Sequence, residues 1–151
     1  MQPQIKSMQP EHVTQVAAIA AEVFSQPWSK ESFLQALQQE NACFLVACDK
    51  ERVLGYCCMY MAADEGEIDN VAVIPQARCL GIGNLLLKEL TDRGRAHGVT
   101  RFFLEVRVSN EAAIHLYHSN GFTEQGIRRN FYRQPTEDAC IMNRIDKTDM
   151  K

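Results

Sequence analysis

The sequence predicts a mixed α/β (α+β) fold in which a mostly antiparallel central sheet carries helices on both faces. Apolar runs of strand length alternate with segments whose apolar residues recur at helical spacing. Three successive runs, at residues 42–48, 53–61 and 68–74, predict an antiparallel meander. A leucine-rich helix then separates the third run from a fourth at residues 101–108, which predicts a parallel crossover.

The segment before the meander predicts one strand and two helices. Residues 4–8 form a short strand candidate. Pro10 suits the first position of a helix, and that helix ends before Pro27. Ser29 is an N-cap candidate for a second helix that runs to about residue 39. Trp28 and Phe33 flank this start at the spacing of a hydrophobic staple.

Two more helices and two more strands complete the prediction. The helix after Gly83 closes with His97 and Gly98, a cation followed by a left-handed cap. Asn110 suits the N-cap of another helix, which ends near Gly121. The last two strands are expected at residues 122–127 and 139–145.

Size and charge limit the classes of protein to consider. With 151 residues the chain predicts one domain over residues 1–151. A net charge of -3 disfavours nucleic acid binding. No segment is apolar enough over a sufficient length to predict a membrane span or an export signal. We therefore expect a cytoplasmic protein with no nucleic acid or membrane partner, as a monomer or a weak homodimer.

Cysteine and histidine spacing predicts neither a metal site nor a disulfide framework. The chain has six cysteines and four histidines, but no Cys-x-x-Cys pair and no zinc-type spacing between the two residue types. Most of the cysteines fall in apolar runs. Buried, reduced thiols are therefore expected.

A glycine-marked junction between a strand and a helix is the main functional signal. Arg78 precedes two glycines, Gly81 and Gly83, at the start of the leucine-rich helix. The first turn of a helix has unpaired N–H groups that can bind an anion. A dinucleotide motif would need glycine where Leu86 stands, and a nucleoside-triphosphate loop would need Lys-Ser/Thr after Gly83. Either another phosphate carrier binds here, or the glycines only allow close packing of the helix on the sheet.

Other motifs surround this junction and carry a resemblance to a known family. The pattern Arg78-x-x-Gly81-x-Gly83, after a strand that ends in Val73, resembles the Arg/Gln-x-x-Gly-x-Gly/Ala motif of the GCN5-related N-acetyltransferases (GNAT). The resemblance covers essentially the whole chain. Within that family the chain is most similar to the bacterial ribosomal-protein-alanine acetyltransferases, on four blocks at residues 26–29, 104–110, 113–122 and 127–139.

Two positions depart from the pattern of that group. Cys79 stands where many relatives have glycine, and Phe131-Tyr132 replaces a Tyr-Tyr pair. A small side chain at Cys79 can point away while its N–H still donates. The second change leaves one phenol.

The resemblance implies that the chain binds acetyl-CoA, without a metal. Its pyrophosphate would lie against the N–H groups from Cys79 through Asn84, at the positive end of the helix. The residues implied in cofactor binding are Val71, Ala72, Val73, Arg78, Cys79, Leu80, Gly81, Ile82, Gly83, Asn84, Asn110 and Tyr117.

The resemblance also assigns a catalytic pair. Glu105 would be the general base and Tyr117 the general acid that protonates the CoA sulfur. Strand spacing alone favours a different role for Glu105, an ion pair with Arg107 on the same strand face. Helical spacing alone makes Tyr117 a core aromatic with its hydroxyl at the edge. By fold-level analogy the N–H of Val73 would face the oxyanion.

Residues for the acceptor are less defined. Trp28 and Tyr132 are candidates to line the acceptor slot, although a staple and a core aromatic explain them as well. Four acids near a strand turn suggest a solvated loop, or a negative rim that attracts a basic acceptor: Asp64, Glu65, Glu67 and Asp69.

We therefore expect transfer of acetyl from acetyl-CoA to the N-terminal α-amine of a protein, the N-terminal alanine of a small-subunit ribosomal protein. Three alternatives stay open at this point: a GNAT that acetylates another amine, a non-catalytic acyl-CoA sensor, and an interaction module without a cofactor. Ping-pong transfer through Cys79 is a further possibility, but no histidine is placed beside it by the sequence.

Overall fold

The fold is a seven-stranded sheet in the order β1-β2-β3-β4-β5-β7-β6, with helices on both of its faces. The computed structural model describes residues 3–146. The strands are β1 (Gln4–Ser7), β2 (Ala42–Asp49), β3 (Arg52–Ala62), β4 (Glu65–Val73), β5 (Arg101–Arg107), β6 (Thr123–Tyr132) and β7 (Glu137–Ile145). The helices are α1 (Val13–Val23), α2 (Lys30–Ala36), α3 (Ile82–Ala96) and α4 (Glu111–Ser119), with 3-10 turns at Pro10–His12 and Pro75–Ala77.

Strand pairing confirms the predicted mixed sheet. Strands β1 to β4 are antiparallel neighbours, and β7 is antiparallel to both β5 and β6. Among these seven strands of the described chain, only β4 and β5 are a parallel pair, joined by the crossover through α3. Between residues 3 and 146, no helix has the length and apolar character needed to cross a bilayer.

Strand β3 shows how both faces of the sheet are covered. Its side chains are buried without interruption from Val53 to Met59, as expected for a strand with helices on either side. On one face, the Sγ of Cys57 lies 3.8 Å from the carbonyl oxygen of Leu86 in α3. On the other face, the ring of Tyr56 packs edge-on against Phe33 of α2, with ring centroids 5.5 Å apart.

The start of α2 has the predicted cap and staple. The hydroxyl of Ser29 accepts a hydrogen bond from the N–H of Ser32 at 3.1 Å. The rings of Trp28 and Phe33 are 5.3 Å apart, so the staple fixes how the chain enters the helix.

Two strand boundaries, the start of β4 and the end of β6, differ most from the prediction. Strand β4 begins at Glu65, not at residue 68, so the expectation of a solvated loop over Glu65, Glu67 and Asp69 was wrong. Acidic residues and Gly66 hide the start of this strand from the apolar pattern. A Cβ at Gly66 would lie 2.7 Å from the Sδ of Met59. Strand β6 extends to Tyr132, beyond the predicted end at residue 127. The prediction stopped early because β6 is an exposed edge strand, and such a strand has no apolar face that would indicate its length.

A fork between β4 and β5 is the feature that shapes the site. The two strands pair only from Glu65 opposite Arg101 to Ile68 opposite Leu104, and then separate. Directly after this last pair the register of β4 on β3 shifts, which leaves Asp69 as an extra residue in a β-bulge. The bulge bends β4 away from β5, and the gap opens toward the start of α3.

We predict that Gly55→Ala will destabilise the protein by about 1–3 kcal/mol, because the new methyl group forces the backbone to move. A Cβ at Gly55 would lie 2.6 Å from the carbonyl oxygen of Ala72, on the strand that borders the fork. Chemical denaturation measures the loss. Gly126→Ala is the matched control, since a Cβ there meets no atom within 4 Å. Equal stability of the two variants would contradict the prediction.

Candidate functional site

A cleft of about 530 Å³ lies at the fork. Its floor is formed by the separated ends of β4 and β5, and α4 borders it with Asn110, Ala113 and Tyr117. The loop between α1 and α2 forms one wall, including Trp28. Another wall is formed by Tyr132, the last residue of β6, and by the turn between β6 and β7.

Six consecutive backbone N–H groups lie free at the start of α3. The N–H of Arg78 donates to Pro75 and that of Leu85 donates to Gly81, but the N–H groups of residues 79–84 have no acceptor within the described chain. Three of these residues belong to the first turn of a 15-residue helix, which adds the positive end of its dipole. This set of donors can bind a phosphate or pyrophosphate group.

The loop before α3 has a backbone form that suits such binding. Gly81 is the N-cap of α3 with φ of +82°, a left-handed conformation that glycine adopts readily. Cys79, which replaces a glycine of the related group, also adopts a left-handed φ of +65° and is exposed. The side chain of Leu80 is 56% exposed. The cysteine therefore keeps the backbone geometry that a glycine would give at this position.

The end of β4 is tied to this loop. The Nε of Arg78 donates to the carbonyl oxygen of Val73 at 3.2 Å. Ile74 donates to Leu54 on β3, so the alternation of an antiparallel pair turns the N–H and carbonyl of Val73 away from β3. Val71 has the same orientation and lines the cleft. Both residues therefore direct backbone polar groups into the gap.

Helix α4 begins at a capped residue and is joined to α3 by one side-chain hydrogen bond. The side-chain oxygen of Asn110 accepts from the N–H of Ala113 at 3.1 Å, which confirms its predicted role as an N-cap. The side-chain amide of Asn120 donates to the side-chain oxygen of Asn84 at 2.9 Å. The second contact joins the end of α4, close to Tyr117, to the start of α3.

Tyr117 is a buried aromatic residue whose edge reaches the cleft, as helical spacing suggested. Its ring packs against Phe122 with centroids 5.8 Å apart, and the residue is 7% exposed. Burial, with smaller effects from Tyr132, Cys57 and Cys58, raises the pKa of Tyr117 well above the ordinary value for a phenol. The hydroxyl therefore keeps its proton at neutral pH.

The ion pair predicted between Glu105 and Arg107 does not form. Glu105 instead pairs with Arg128 of β6, with 3.1 Å between Oε2 and Nη1, while Arg107 pairs with Glu137 of β7 at 3.1 Å. Partners on β7, the neighbouring strand, and on β6, the strand beyond it, compete successfully because β5 lies inside the sheet. The prediction considered only residues of β5 itself. Glu105 and Arg107 both line the cleft.

Arg107 joins the two loops that form the walls. Its guanidinium donates to the carbonyl oxygens of Arg133 and Pro135 and to the hydroxyl of Ser25, at 2.8, 2.9 and 3.3 Å. It also lies over the ring of Tyr132, 4.6 Å from the centroid. Tyr132 is therefore a wall residue and not a core aromatic, and burial, with Glu105 nearby, raises its pKa to about 12.

Asp69, which the sequence suggested only as one of four acids in a solvated loop or a negative rim, is a residue of the cleft itself. It lines the cleft from the bulge in β4. Desolvation by the surrounding protein, with the neighbouring carboxylates of Glu67 and Glu105, raises the pKa of Asp69 to about 6. The sequence around Asp69 contains no signal for a bulge. Only the register of β4 against β3 shows that Asp69 lies in one.

Trp28, the cysteines and the possible metal ligands complete the description of the site. Trp28 belongs to the staple and also lines the cleft. All six cysteines are free, and Cys79 is exposed. Between residues 3 and 146, no group of three or more His, Cys, Asp or Glu side chains is arranged to hold a metal ion.

Comparison with known proteins gives consistent relatives. The [ribosomal protein bS18]-alanine N-acetyltransferase of Salmonella typhimurium is 41% identical over 118 residues, which cover 77% of this chain and 79% of the relative. The crystal structure of the ribosomal-protein-S18-alanine N-acetyltransferase of Escherichia coli matches with a TM-score of 0.88 and 32% identity, over 99% of both chains.

A more distant structure shares the fold alone. The PaiA N-acetyltransferase of Thermoplasma acidophilum, solved in complex with coenzyme A, matches at a TM-score of 0.81 and 19% identity, over 96% of this chain and 99% of that one. The sequence profile of the acetyltransferase (GNAT) family matches residues 13–122. The fold, the relatives and this match together show that the chain belongs to the GNAT family of acetyltransferases.

Proposed function

We propose that the protein transfers the acetyl group of acetyl-CoA to the N-terminal α-amine of a protein, the N-terminal alanine of a ribosomal protein of the bS18 type. The observation that carries this proposal is the row of six free N–H groups directly beside a cleft that contains the carboxylate of Glu105 and the buried phenol of Tyr117. The names of the relatives supply the acceptor.

The free N–H groups of residues 79–84 would bind the pyrophosphate of acetyl-CoA. The pantetheine arm would then follow the gap between β4 and β5, where Val71 and Val73 offer backbone groups. This path leads the thioester toward the fork. The N–H of Val73 is the donor proposed for the oxyanion that forms when the amine attacks.

The chemistry requires a neutral amine, a stabilised oxyanion and a protonated leaving group. The amine nitrogen attacks the acetyl carbon, the C–N bond forms, and the C–S bond breaks with its electrons going to sulfur. Glu105 removes a proton from the nitrogen as the amide forms, and Tyr117 gives a proton to the sulfur. An α-amine loses its proton more easily than lysine, with a pKa of about 7.7–8.0 against about 10.4.

Acetylated peptides test the function and the kind of amine. Incubation with acetyl-CoA and a peptide that begins Ala and contains an internal lysine should release CoA and add one acetyl group, at the N-terminus by tandem mass spectrometry. The same peptide with a blocked N-terminus is the control and should not react. Acetylation of the blocked peptide at its lysine would contradict the α-amine assignment, and absence of CoA binding by calorimetry would contradict the whole proposal.

Tyr117→Phe should lower kcat by about 100-fold or more, because the change keeps the packing against Phe122 but deletes the proton for the sulfur. Rapid-mixing measurements of thioester cleavage follow the chemical step directly. Phe122→Leu is a control for packing, since it disturbs the same contact without removing a hydroxyl. An unchanged rate of cleavage in Tyr117→Phe would assign the acid elsewhere.

Glu105→Gln should lower turnover at every pH, and most at low pH, because hydroxide can partly replace the lost base only when it is abundant. Its ion-pair partner offers a matched variant. Arg128→Gln removes the same ion pair but leaves the carboxylate, so turnover should persist there. A pH–rate profile of Glu105→Gln with the shape of the original would exclude Glu105 from the mechanism.

A further inference from the structure

The fork brings two carboxylates together that have different surroundings. Ile68 and Leu104 form the last pair of the parallel ladder, so Asp69 and Glu105 are the first residues beyond it on adjacent strands. Both line the cleft. Glu105 is held in an ion pair with Arg128, whereas no cationic side chain in residues 3–146 pairs with Asp69.

The proposed reaction leaves one proton without an acceptor. An α-amine with a pKa of about 7.7–8.0 is mostly an ammonium ion near neutral pH, so it must lose one proton before attack and another as the amide forms. Glu105 takes the second of these. A group in the cleft must therefore take the first, unless the amine arrives already neutral.

We propose that Asp69 is a second catalytic carboxylate, which binds the acceptor as an ammonium ion beside Glu105 and removes its first proton. The inference rests on the proposed function. The proton passes from the ammonium nitrogen to Asp69, directly or through one water molecule, and leaves a neutral amine. After transfer, Asp69 returns this proton to solvent, and the proton that Glu105 took from the nitrogen replaces the one that Tyr117 gave to sulfur.

The surroundings of Asp69 support this role. Its raised pKa of about 6 lies closer to the pKa of an α-amine than an ordinary aspartate does, so the transfer is less unfavourable. Burial raises the pKa of Cys58 to about 12 and also raises the pKa of Tyr60, so these two neighbours stay neutral. Three titratable groups on β3 and β4 interact with Asp69, namely Cys58, Tyr60 and Glu67, and Glu105 does so from β5. The other titratable and charged groups that line the same cleft are Tyr56 on β3, Arg107 on β5, Tyr117 on α4, Tyr132 on β6 and Glu137 on β7, while Arg128 on β6 pairs with Glu105.

The pH dependence of kcat/KM for two acceptor peptides tests the proposal. One peptide begins with alanine and the other with 3-fluoroalanine, whose amine has a lower pKa. With the original protein the acidic limb should have its midpoint near pH 6 for both peptides, because it reports the ionisation of Asp69. In Asp69→Asn the amine must arrive neutral. The midpoint should then move to the pKa of each amine, and the rate with the alanine peptide should fall about 10-fold or more below pH 7.

Glu67→Gln is the matched control, since it removes a neighbouring carboxylate on the same strand that also raises the pKa of Asp69. Its acidic limb should move slightly downward and stay the same for both peptides. If the acidic limb of the kcat/KM profile of Asp69→Asn keeps its midpoint near pH 6, the proposal is overturned. If the original protein itself releases no CoA with either peptide, the proposed function fails instead.

Folding and thermal stability provide a second readout. A raised pKa means that the folded state is less stable when Asp69 is ionised than when it is protonated. The stabilising contribution of protonated Asp69 is complete below the unfolded pKa near 4 and is lost as pH rises through about 6. Asp69→Asn should therefore have a higher Tm than the original protein above pH 6, and the difference should shrink toward pH 4. Asp69→Ser, with retained CoA binding, repeats the kinetic test if the asparagine variant does not fold. A Tm difference that is absent or opposite above pH 6 would also count against the proposal.

Discussion

The early end of the β4–β5 ladder is the constraint on which the site depends. Two parallel strands inside a sheet normally continue their hydrogen bonds, yet here the pairing stops at Ile68 and Leu104. The bulge at Asp69 takes β4 out of register with its other neighbour at the same point. Backbone groups that would have paired across the sheet are therefore available to a ligand.

This break in pairing would be costly without the contacts around it. Arg78 satisfies the carbonyl of Val73, and Arg107 binds the two loops that cover the opposite side of the gap. Gly55 allows β3 to approach the separated part of β4 closely. The buried strand β3 and the helices packed on it support the separated ends of β4 and β5.

Much of the fold could be predicted from the sequence because its signals are local. The cap at Ser29, the staple of Trp28 and Phe33, and the left-handed Gly98 each follow from a few neighbouring residues. The glycine-marked start of α3 belongs to the same class. The extent of β4 and β6 could not be predicted, since one begins with acids and glycine and the other is exposed along almost its entire length.

The ion-pair partners of the charged residues in the site could not be predicted from the sequence either. Strand periodicity placed Glu105 and Arg107 on one face correctly, but their ion pairs go to β6 and β7, which are distant in the chain. The position of Asp69 in the cleft could be recognised only from the register of β3 against β4. The residues of the acceptor side depend on contacts between separate loops, and no spacing along the chain records those contacts.

Strand β6 has a consequence for solubility. It forms one edge of the sheet, so its outer N–H and carbonyl groups could recruit an extended segment from another molecule. Two register shifts and a left-handed residue at Asn130 distort this edge, and Arg128 and Arg129 add positive charge. A straight, uncharged version of the strand would favour intermolecular sheet growth, so these irregularities protect the folded protein against aggregation.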